Sequence, residues 1–190
     1  MLRRTLLAAA VGVTAAVPAL AQAPATTPAA GTDLENTLYM DLKDGRVVIR
    51  LRPDLAPKHV ERVKMLVREG FYNGTPFHRV IEGFMAQGGD PTGTGTGGSK
   101  YPDLPAEFTN SVHFLRGTVG AARTSSPNTA NSQFYICFAP ASSLDGQYTI
   151  WGQVVSGMEY VDKIRRGSGS SGTVAGPDKI IKMQVASDAK

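Results

Sequence analysis

Apolar and polar residues alternate along residues 37–42 and again along residues 46–51. The stretch between them, Lys43-Asp44-Gly45, consists of residues that favour a tight turn. A period of two is typical of a strand with one buried face. The pattern therefore predicts a β-hairpin at the start of the folded part of the chain.

The pattern changes to a helical period after Pro57. The apolar residues that share one helical face are Val60, Val63, Leu66 and Val67. Their spacing predicts a short amphipathic helix, and Gly70 is placed to end it. A second helix is predicted over residues 158–166.

Five further strands are predicted from short apolar runs separated by loops that contain glycine and proline. These runs cover residues 77–81, 118–122, 133–138, 149–155 and 179–185. Many strands with only two helices, and no strand–helix alternation, argue against a parallel α/β sheet. We expect a mainly β fold, a closed antiparallel barrel with helices over its ends.

Residues 1–21 have the layout of a secretory signal peptide. Two arginines precede an apolar run over residues 6–16, and the segment ends in the small residues Ala19 and Ala21 around Leu20. A membrane-spanning helix needs about 20 apolar residues, whereas Pro18 interrupts a run made mostly of alanine. We therefore expect cleavage after Ala21 and no stable membrane span afterwards.

Residues 22–35 are mostly Ala, Pro, Thr and Gly, so ordering them would cost entropy without burying apolar area. We expect a flexible linker there and a folded domain over residues 36–188. The expected location is the periplasm or the exterior of the cell. The pair Arg3 and Arg4 fits both the general and the twin-arginine export route.

Composition narrows the class of protein further. The 190 residues are 42% hydrophobic and 19% charged, which is enough to bury a core. The net charge falls from +4 to +2 once Arg3 and Arg4 are removed, and so weak a basic character argues against nucleic-acid binding. The single cysteine, Cys137, excludes an intramolecular disulfide and a Cys-x-x-Cys pair.

Residues 93–98 match the spacing of the dinucleotide-binding motif G-x-G-x-x-G. Pro91 precedes the motif and Pro102 follows it closely, so the helix that the motif must open cannot form. The chain also contains no G-x-S-x-G sequence. Nucleotide binding and serine-hydrolase chemistry are therefore not predicted.

The three histidines are far apart and lack the spacing of a metal site. They are His59, His78 and His113. We predict no metal site and no cofactor. Asn73-Gly74-Thr75 is formally a glycosylation sequence, but Asn-Gly is also a common tight turn, and we predict the turn.

Three segments are more informative than these motifs. Residues 77–90 read FHRVIEGFMAQGGD, residues 126–136 read SPNTANSQFYI, and residues 143–146 read SLDG. Together they resemble the cyclophilin family of peptidyl-prolyl cis-trans isomerases, and the resemblance extends from about Thr37 to Val185. It implies an eight-stranded antiparallel barrel capped by two helices, in agreement with the mainly β fold and the two helices predicted above.

The resemblance also implies a set of site residues, carried over position by position. Arg79 corresponds to the family's catalytic arginine. The implied substrate-binding residues are Phe84, Met85, Gln87, Ala122, Arg123, Gln133, Tyr135, Leu144 and Tyr148. Among these, the residues that would wall the proline pocket are Phe84, Met85, Tyr135 and Leu144. Gln87 would hold the substrate backbone, Ala122 and Gln133 would contact the residue before proline, and Arg123 is an adjoining polar position. His78, Phe134 and Ser143 are implied neighbours of the site.

The chain departs from the family's pattern at three of these positions. Tyr135 stands where the pocket usually has Phe, Ser143 where it has a large aromatic, and Tyr148 where many relatives have His. In relatives the aromatic at the position of Ser143 helps to bind the cyclic inhibitor cyclosporin. We therefore expect only weak cyclosporin binding, with catalysis retained.

The predicted activity follows from the chemistry of an X-Pro bond. Amide resonance imposes a barrier of about 20 kcal/mol, so rotation is slow. In the perpendicular transition state the proline nitrogen is pyramidal, and its lone pair can accept a hydrogen bond that it cannot accept in the ground state. A guanidinium can donate that bond without proton transfer, and the resemblance implies Arg79 in this role.

We predict an isomerase that assists the folding of exported proteins, with proline-containing peptides and unfolded or exported proteins as partners. We expect a monomer that does not bind nucleic acid. An alternative is a proline-peptide-binding chaperone module with incidental turnover, which the sequence does not separate from an enzyme because both use one pocket. A carbohydrate- or lipid-binding barrel would need a roomy interior, whereas the large apolar residues along the strands imply a filled one.

Overall fold

The computed structural model describes residues 33–189. The predicted signal peptide, and the linker up to residue 32, lie outside the described residues. The last residues assigned to the linker belong to a 3-10 helix, Leu34–Asn36. Glu35 in this helix forms ion pairs with Lys64 at 2.5 Å and with Arg68 at 3.0 Å.

The predicted hairpin is present at the start of the fold. Strands β1 (Thr37–Leu42) and β2 (Gly45–Leu51) pair antiparallel, from Leu42 opposite Gly45 to Thr37 opposite Arg50. Alternate residues of β1 are fully buried, as the period of two predicts.

Helix α1 (Pro57–Arg68) also forms where the apolar spacing predicts it. The four residues of the predicted apolar face are all buried: Val60, Val63, Leu66 and Val67. Its first turn is capped from outside, because the Glu107 carboxylate accepts hydrogen bonds from the N–H groups of Lys58 at 3.1 Å and His59 at 3.0 Å. Gly70 follows the helix with φ of 71°, a conformation that favours glycine.

The second helix is much shorter than predicted. Helix α2 covers only Met158–Val161, whereas the sequence pattern indicated residues 158–166. Beyond it each backbone N–H donates to the carbonyl three residues back instead of four. The N–H of Arg165 then donates to the Asp178 carboxylate at 2.8 Å. This tertiary hydrogen bond draws the chain out of the helix.

The remaining strands complete a single antiparallel sheet. They are β3 (Arg79–Ile81), β4 (Met85–Gly88), β5 (Thr118–Ala121), β6 (Phe134–Cys137), β7 (Ile150–Ser156) and β8 (Lys182–Val185). Strand β4 was not found by pattern, because it is four residues long, ends in glycine, and follows β3 after a tight turn at Gly83. It nevertheless lies at the centre of the candidate site.

The strand order is β3-β4-β6-β5-β7-β2-β1-β8, which leaves β3 and β8 as the two edges of the ladder. The sheet is an open, curled half-barrel, so the expected closed barrel is not confirmed. The segments before these edge strands meet at an isolated antiparallel bridge between Pro76 and Lys179. It is flanked by hydrogen bonds from the N–H of Phe77 to the carbonyl oxygen of Asp178 at 2.9 Å and from the N–H of Ile180 to that of Thr75 at 3.0 Å. The pairing does not extend into β3 and β8 themselves, which stay at opposite ends of the strand order.

Alternate residues of the strands face two separate clusters. The main core is the larger one, and its largest members are Leu38, Met40, Ile49, Leu66, Tyr72, Phe77, Phe134, Ile136, Trp151 and Ile180. The pocket-face cluster consists of Met85, Phe114, Tyr135, Cys137, Ala141 and Ile150. Strand β6 contributes to both clusters, with Phe134 and Ile136 on one side and Tyr135 and Cys137 on the other.

Candidate active site

A cavity of about 200 Å³ opens over the pocket-face cluster. It is lined by Arg79, Phe84, Met85, Gln87, Ala122, Arg123, Tyr135, Leu144 and Tyr148. The structure thus brings together residues from β3, β4 and β6 with residues from the loops that follow β5 and precede β7. We call this cavity the proline pocket, for the substrate group that the sequence analysis assigned to it.

A larger groove of about 560 Å³ adjoins the proline pocket. The two cavities share Gln87, Ala122 and Arg123, and Gln133 lines the groove rather than the pocket. Residues 95–98 of the glycine-rich segment form another part of the groove wall. The glycines that resembled a nucleotide-binding motif therefore line the continuation of the candidate site.

One side of the proline pocket is an apolar wall. Met85 and Tyr135 are almost fully buried, whereas Phe84, Leu144 and Tyr148 are partly exposed at its rim. The Tyr135 ring stacks on Phe114, with centroids 5.9 Å apart, and meets Tyr148 edge-on at 6.0 Å. Such a wall fits an apolar ring and offers it few polar partners.

A chain of side-chain amides holds Arg79 at the pocket. Arg79 lies opposite Gln87 in the register of β3 and β4, and its Nη1 donates to Gln87 Oε1 at 3.2 Å. Gln87 Nε2 donates to Gln133 Oε1 at 3.0 Å. Gln133 Nε2 in turn donates to the carbonyl oxygens of Gly95 and Gly97 at 3.0 and 2.9 Å. This chain of hydrogen bonds links the guanidinium to the glycine-rich loop.

The guanidinium of Arg79 is also held from the opposite side. Its Nε donates to the carbonyl oxygen of Ser171 at 3.0 Å. Within residues 33–189 its Nη2 has no hydrogen-bond partner. Arg79 therefore keeps N–H donors available while two bonds fix its orientation.

The carbonyl of Ser171 is a contact that the sequence analysis missed. Ser171 lies in a Gly/Ser segment that has the composition of a flexible loop. Its contribution is a backbone oxygen, which is common to every residue type and so leaves no signal in the sequence. Backbone hydrogen bonds place this loop beside β3: the N–H of Val80 donates to the carbonyl oxygen of Gly172 at 2.8 Å, and the N–H of Val174 donates to that of His78 at 3.1 Å.

The glycine-rich loop is ordered around the buried carboxylate of Asp90. The N–H groups of Thr92, Gly95 and Gly97 donate to this carboxylate at 2.8, 2.6 and 3.1 Å. Burial acts to raise the pKa of Asp90, but the hydrogen bonds outweigh it and lower the pKa to about 2. A permanently ionised Asp90 thus keeps the wall of the groove in place at neutral pH.

The Tyr135 hydroxyl is buried and has no hydrogen-bond partner within residues 33–189. Burial raises the pKa of Tyr135, so the hydroxyl stays protonated. Gly120 lies directly against the phenol: a Cβ built there would come within 2.6 Å of Tyr135 Cζ. A tyrosine fits at position 135 because position 120 has no side chain.

The three residues implied as neighbours of the site do not line either cavity. Phe134 belongs to the main core, and Ser143 is exposed in the 3-10 helix Ser142–Leu144. His78 is buried near Gly95, and neither of its ring nitrogens has a partner among the described residues. Burial lowers the pKa of His78, so the imidazole is neutral at neutral pH.

Across residues 33–189, no group of three or more His, Cys, Asp or Glu side chains is arranged to hold a metal ion. In the same part of the chain, no helix has both the length and the apolar character needed to cross a membrane.

The half-barrel carries a cavity with an apolar wall, beside an arginine that two hydrogen bonds hold in place. Residues 37–185 match the family model described as cyclophilin type peptidyl-prolyl cis-trans isomerase/CLD. The chain therefore belongs to the cyclophilin family, and it is a peptidyl-prolyl cis-trans isomerase.

Relatives with known names and structures agree with this assignment. A probable peptidyl-prolyl cis-trans isomerase of Brucella suis is 53% identical, over 98% of each chain. The human peptidyl-prolyl cis-trans isomerase-like 1 is 39% identical, over 67% of this chain and 78% of the relative. The crystal structure of a Cryptosporidium parvum cyclophilin, determined in the presence of the dipeptide Ala-Pro, superimposes with a TM-score of 0.73 at 30% identity, covering 78% of this chain and 98% of that chain.

Proposed function

We propose that Arg79 catalyses the isomerisation by donating a hydrogen bond to the proline nitrogen in the perpendicular transition state. In the ground state the nitrogen lone pair is delocalised into the carbonyl, so it accepts no hydrogen bond. The interaction is therefore made only in the transition state, which is the condition for a binding interaction to accelerate the reaction.

The other groups of the pocket have complementary tasks. The apolar wall formed by Phe84, Met85 and Leu144 holds the pyrrolidine ring while the acyl group on its amino-terminal side rotates. Gln87 lies between the proline pocket and the groove, where its amide can bind the peptide backbone. Holding one side of the bond fixed confines the motion to the rotation that the reaction needs.

The observation that carries the proposal is the constraint on the Arg79 guanidinium. Ser171 and Gln87 hold it at 3.0 and 3.2 Å, while Nη2 has no partner among the described residues, and the apolar wall of a 200 Å³ cavity lies beside it. Donors that are already oriented need no reorganisation when the transition state forms.

Arg79→Ala tests this role directly. We expect the rate of isomerisation of a proline peptide to fall about 100-fold or more, as is typical when one preorganised donor is lost, while peptide affinity changes far less. Arg79→Lys should also be slow, because an ammonium on a flexible chain does not reproduce a planar guanidinium held on two sides. Arg46→Ala, which removes an exposed ion pair with Asp41 on the distant hairpin, serves as the control and should leave the rate unchanged.

No group in this mechanism changes its protonation state, so the wild-type rate should vary little between about pH 6 and 8. Burial lowers the pKa of His78 below its ordinary value of 6.5, so this imidazole is neutral at neutral pH. Raising the pH further leaves its charge unchanged. An unchanged rate in Arg79→Ala contradicts the assignment of Arg79. A bell-shaped pH profile would instead bring His78 into the mechanism.

We further propose that the protein acts on exported proteins in the periplasm or outside the cell. The proposal is supported by the arginines, apolar run and small residues of residues 1–21. Intact-mass analysis of the exported protein should give a chain that begins at Gln22. A mature chain that retains Arg3 and Arg4 would contradict the proposal.

A further inference from the structure

Arg123 lies where the proline pocket and the groove meet. It lines both cavities, and it directly follows Ala122, which also lines both. A peptide that places its proline in the pocket and continues along the groove must pass this side chain.

The side chain of Arg123 is fixed in place by backbone oxygens and an aromatic ring. Nη1 donates to the carbonyl oxygens of Thr124 and Ser125 at 2.9 and 3.3 Å, and Nη2 donates to that of Gln147 at 2.8 Å. The guanidinium carbon lies 4.2 Å from the centre of the Tyr148 ring. The positive charge is thus held at one position, and none of these partners is a carboxylate.

Arg123 has no carboxylate partner, unlike two other arginines of the fold. Arg116 pairs with Asp162 and Arg166 pairs with Glu82. Within residues 33–189, Arg123 forms no ion pair, and its buried Nε has no hydrogen-bond acceptor. A partly buried cation without a counter-ion is stabilised when a negative group approaches it.

The surroundings of Arg123 strengthen this preference. The proline pocket is lined by two cations, Arg79 and Arg123, and no carboxylate is among its lining residues in the described part of the chain. The groove contains one carboxylate, that of Asp103, which accepts a hydrogen bond from Asn131 at 3.0 Å. The junction itself therefore presents positive charge to a bound peptide.

We propose that Arg123 makes this enzyme select peptides that carry an acidic residue, Glu or Asp, immediately before the proline. The inference rests on the proposed function. In the family resemblance Ala122 and Gln133 contact the residue before proline, and both line the groove on the side of Arg123. The side chain of that residue is then the one that passes the fixed guanidinium.

The test compares three peptides that differ only in the residue before proline: Ala-Glu-Pro-Phe, Ala-Gln-Pro-Phe and Ala-Lys-Pro-Phe. We expect the wild-type kcat/KM to be about five-fold higher for the Glu peptide than for the Gln peptide, as for a favourable but solvent-accessible charge pair. The Lys peptide should be the poorest of the three. Raising the salt concentration to about 0.5 M should bring the Glu and Gln values together, because ions screen the attraction.

Three variants identify the charge responsible. In Arg123→Gln the ratio of the Glu to the Gln value should fall to about 1, whatever happens to the absolute rates. Arg123→Lys should keep part of the ratio, because it keeps the charge but loses the planar contacts. Arg50→Gln removes an exposed arginine of β2 and should keep the full ratio, which controls for net charge.

The outcomes separate this inference from the proposed function. A wild-type enzyme that isomerises all three peptides with equal kcat/KM overturns the preference, as does a Glu preference that survives in Arg123→Gln. If the wild type isomerises none of them, the proposed function fails. In that case the ratio of the dissociation constants of the Glu and Gln peptides tests on its own whether Arg123 favours an acidic residue.

Discussion

The main core and the pocket-face cluster share strands but differ in how completely they are packed. On β6, Ile136 is fully buried in the main core among other apolar side chains. The next residue back, Tyr135, faces the opposite side, where its hydroxyl has no partner among the described residues. Around it Phe84, Leu144 and Tyr148 are only partly buried.

This difference shows how one sheet divides stability from function. Because side chains of a strand alternate between its two faces, each strand can bury one set of residues fully and leave the other set to form a cavity. The main core is covered on all sides, whereas the pocket-face cluster leaves part of its apolar surface open to the cavity. The apolar surface left uncovered by the pocket-face cluster is available for binding.

A mutation that creates a cavity in the main core should have the largest effect on stability, and it tests this division. Ile136→Ala should lower the free energy of unfolding by about 3 kcal/mol, since it removes a fully buried side chain. Its kcat/KM, measured well below the melting temperature, should change little. Urea unfolding and a peptide assay on the same sample provide the two values. A strong loss of activity in a folded Ile136→Ala protein would show that the two faces are not separable.

The matched change on the other face is Leu144→Ala. Leu144 packs against the pocket-face cluster but remains partly exposed, so its loss should cost less than about 1 kcal/mol of stability. The kcat/KM should fall about ten-fold, because the proline ring loses part of its apolar wall. Comparing the two variants in both assays gives the contrast directly. The division fails if Leu144→Ala destabilises the protein as much as Ile136→Ala does.

The smallest expected effect concerns the hydroxyl of Tyr135. Tyr135→Phe removes a buried polar group without a hydrogen-bond partner and keeps the ring, so stability should stay the same or rise by up to about 1 kcal/mol. Catalysis should be retained. Thermal unfolding of the variant and the wild type decides the sign. A clear loss of stability would mean that the hydroxyl has a bonding partner, such as a buried water molecule.

The spacing of apolar residues was sufficient to predict those elements that follow a strand period or a helix period along their whole length. The hairpin of β1 and β2 and the helix α1 follow from alternation and from i, i+3, i+4 spacing, and the structure confirms them. Strand β4 was missed because four residues ending in glycine carry no period. The length of α2 and the open edge between β3 and β8 depend on tertiary contacts that no local pattern reports.

The side chains at the proline pocket could be named before the structure was known, because the family resemblance supplies residue types in order. The backbone partners could not. The carbonyl of Ser171 that holds Arg79, and the carbonyls of Thr124 and Gln147 that hold Arg123, are the same chemical group in every residue. Their role depends only on where the fold brings the loops.

The contact between Gly120 and Tyr135 has a consequence for how the sequence can change over evolutionary time. Any residue other than glycine at position 120 would place a Cβ within 2.6 Å of the phenol, and the strand backbone leaves that ring little room to move. A lineage that keeps a large aromatic at position 135 is therefore confined to glycine at position 120. Replacement of Tyr135 alone would not suffice, because the same Cβ would lie 2.8 Å from Phe114 Cε1, so two aromatic residues must give way before position 120 can carry a side chain.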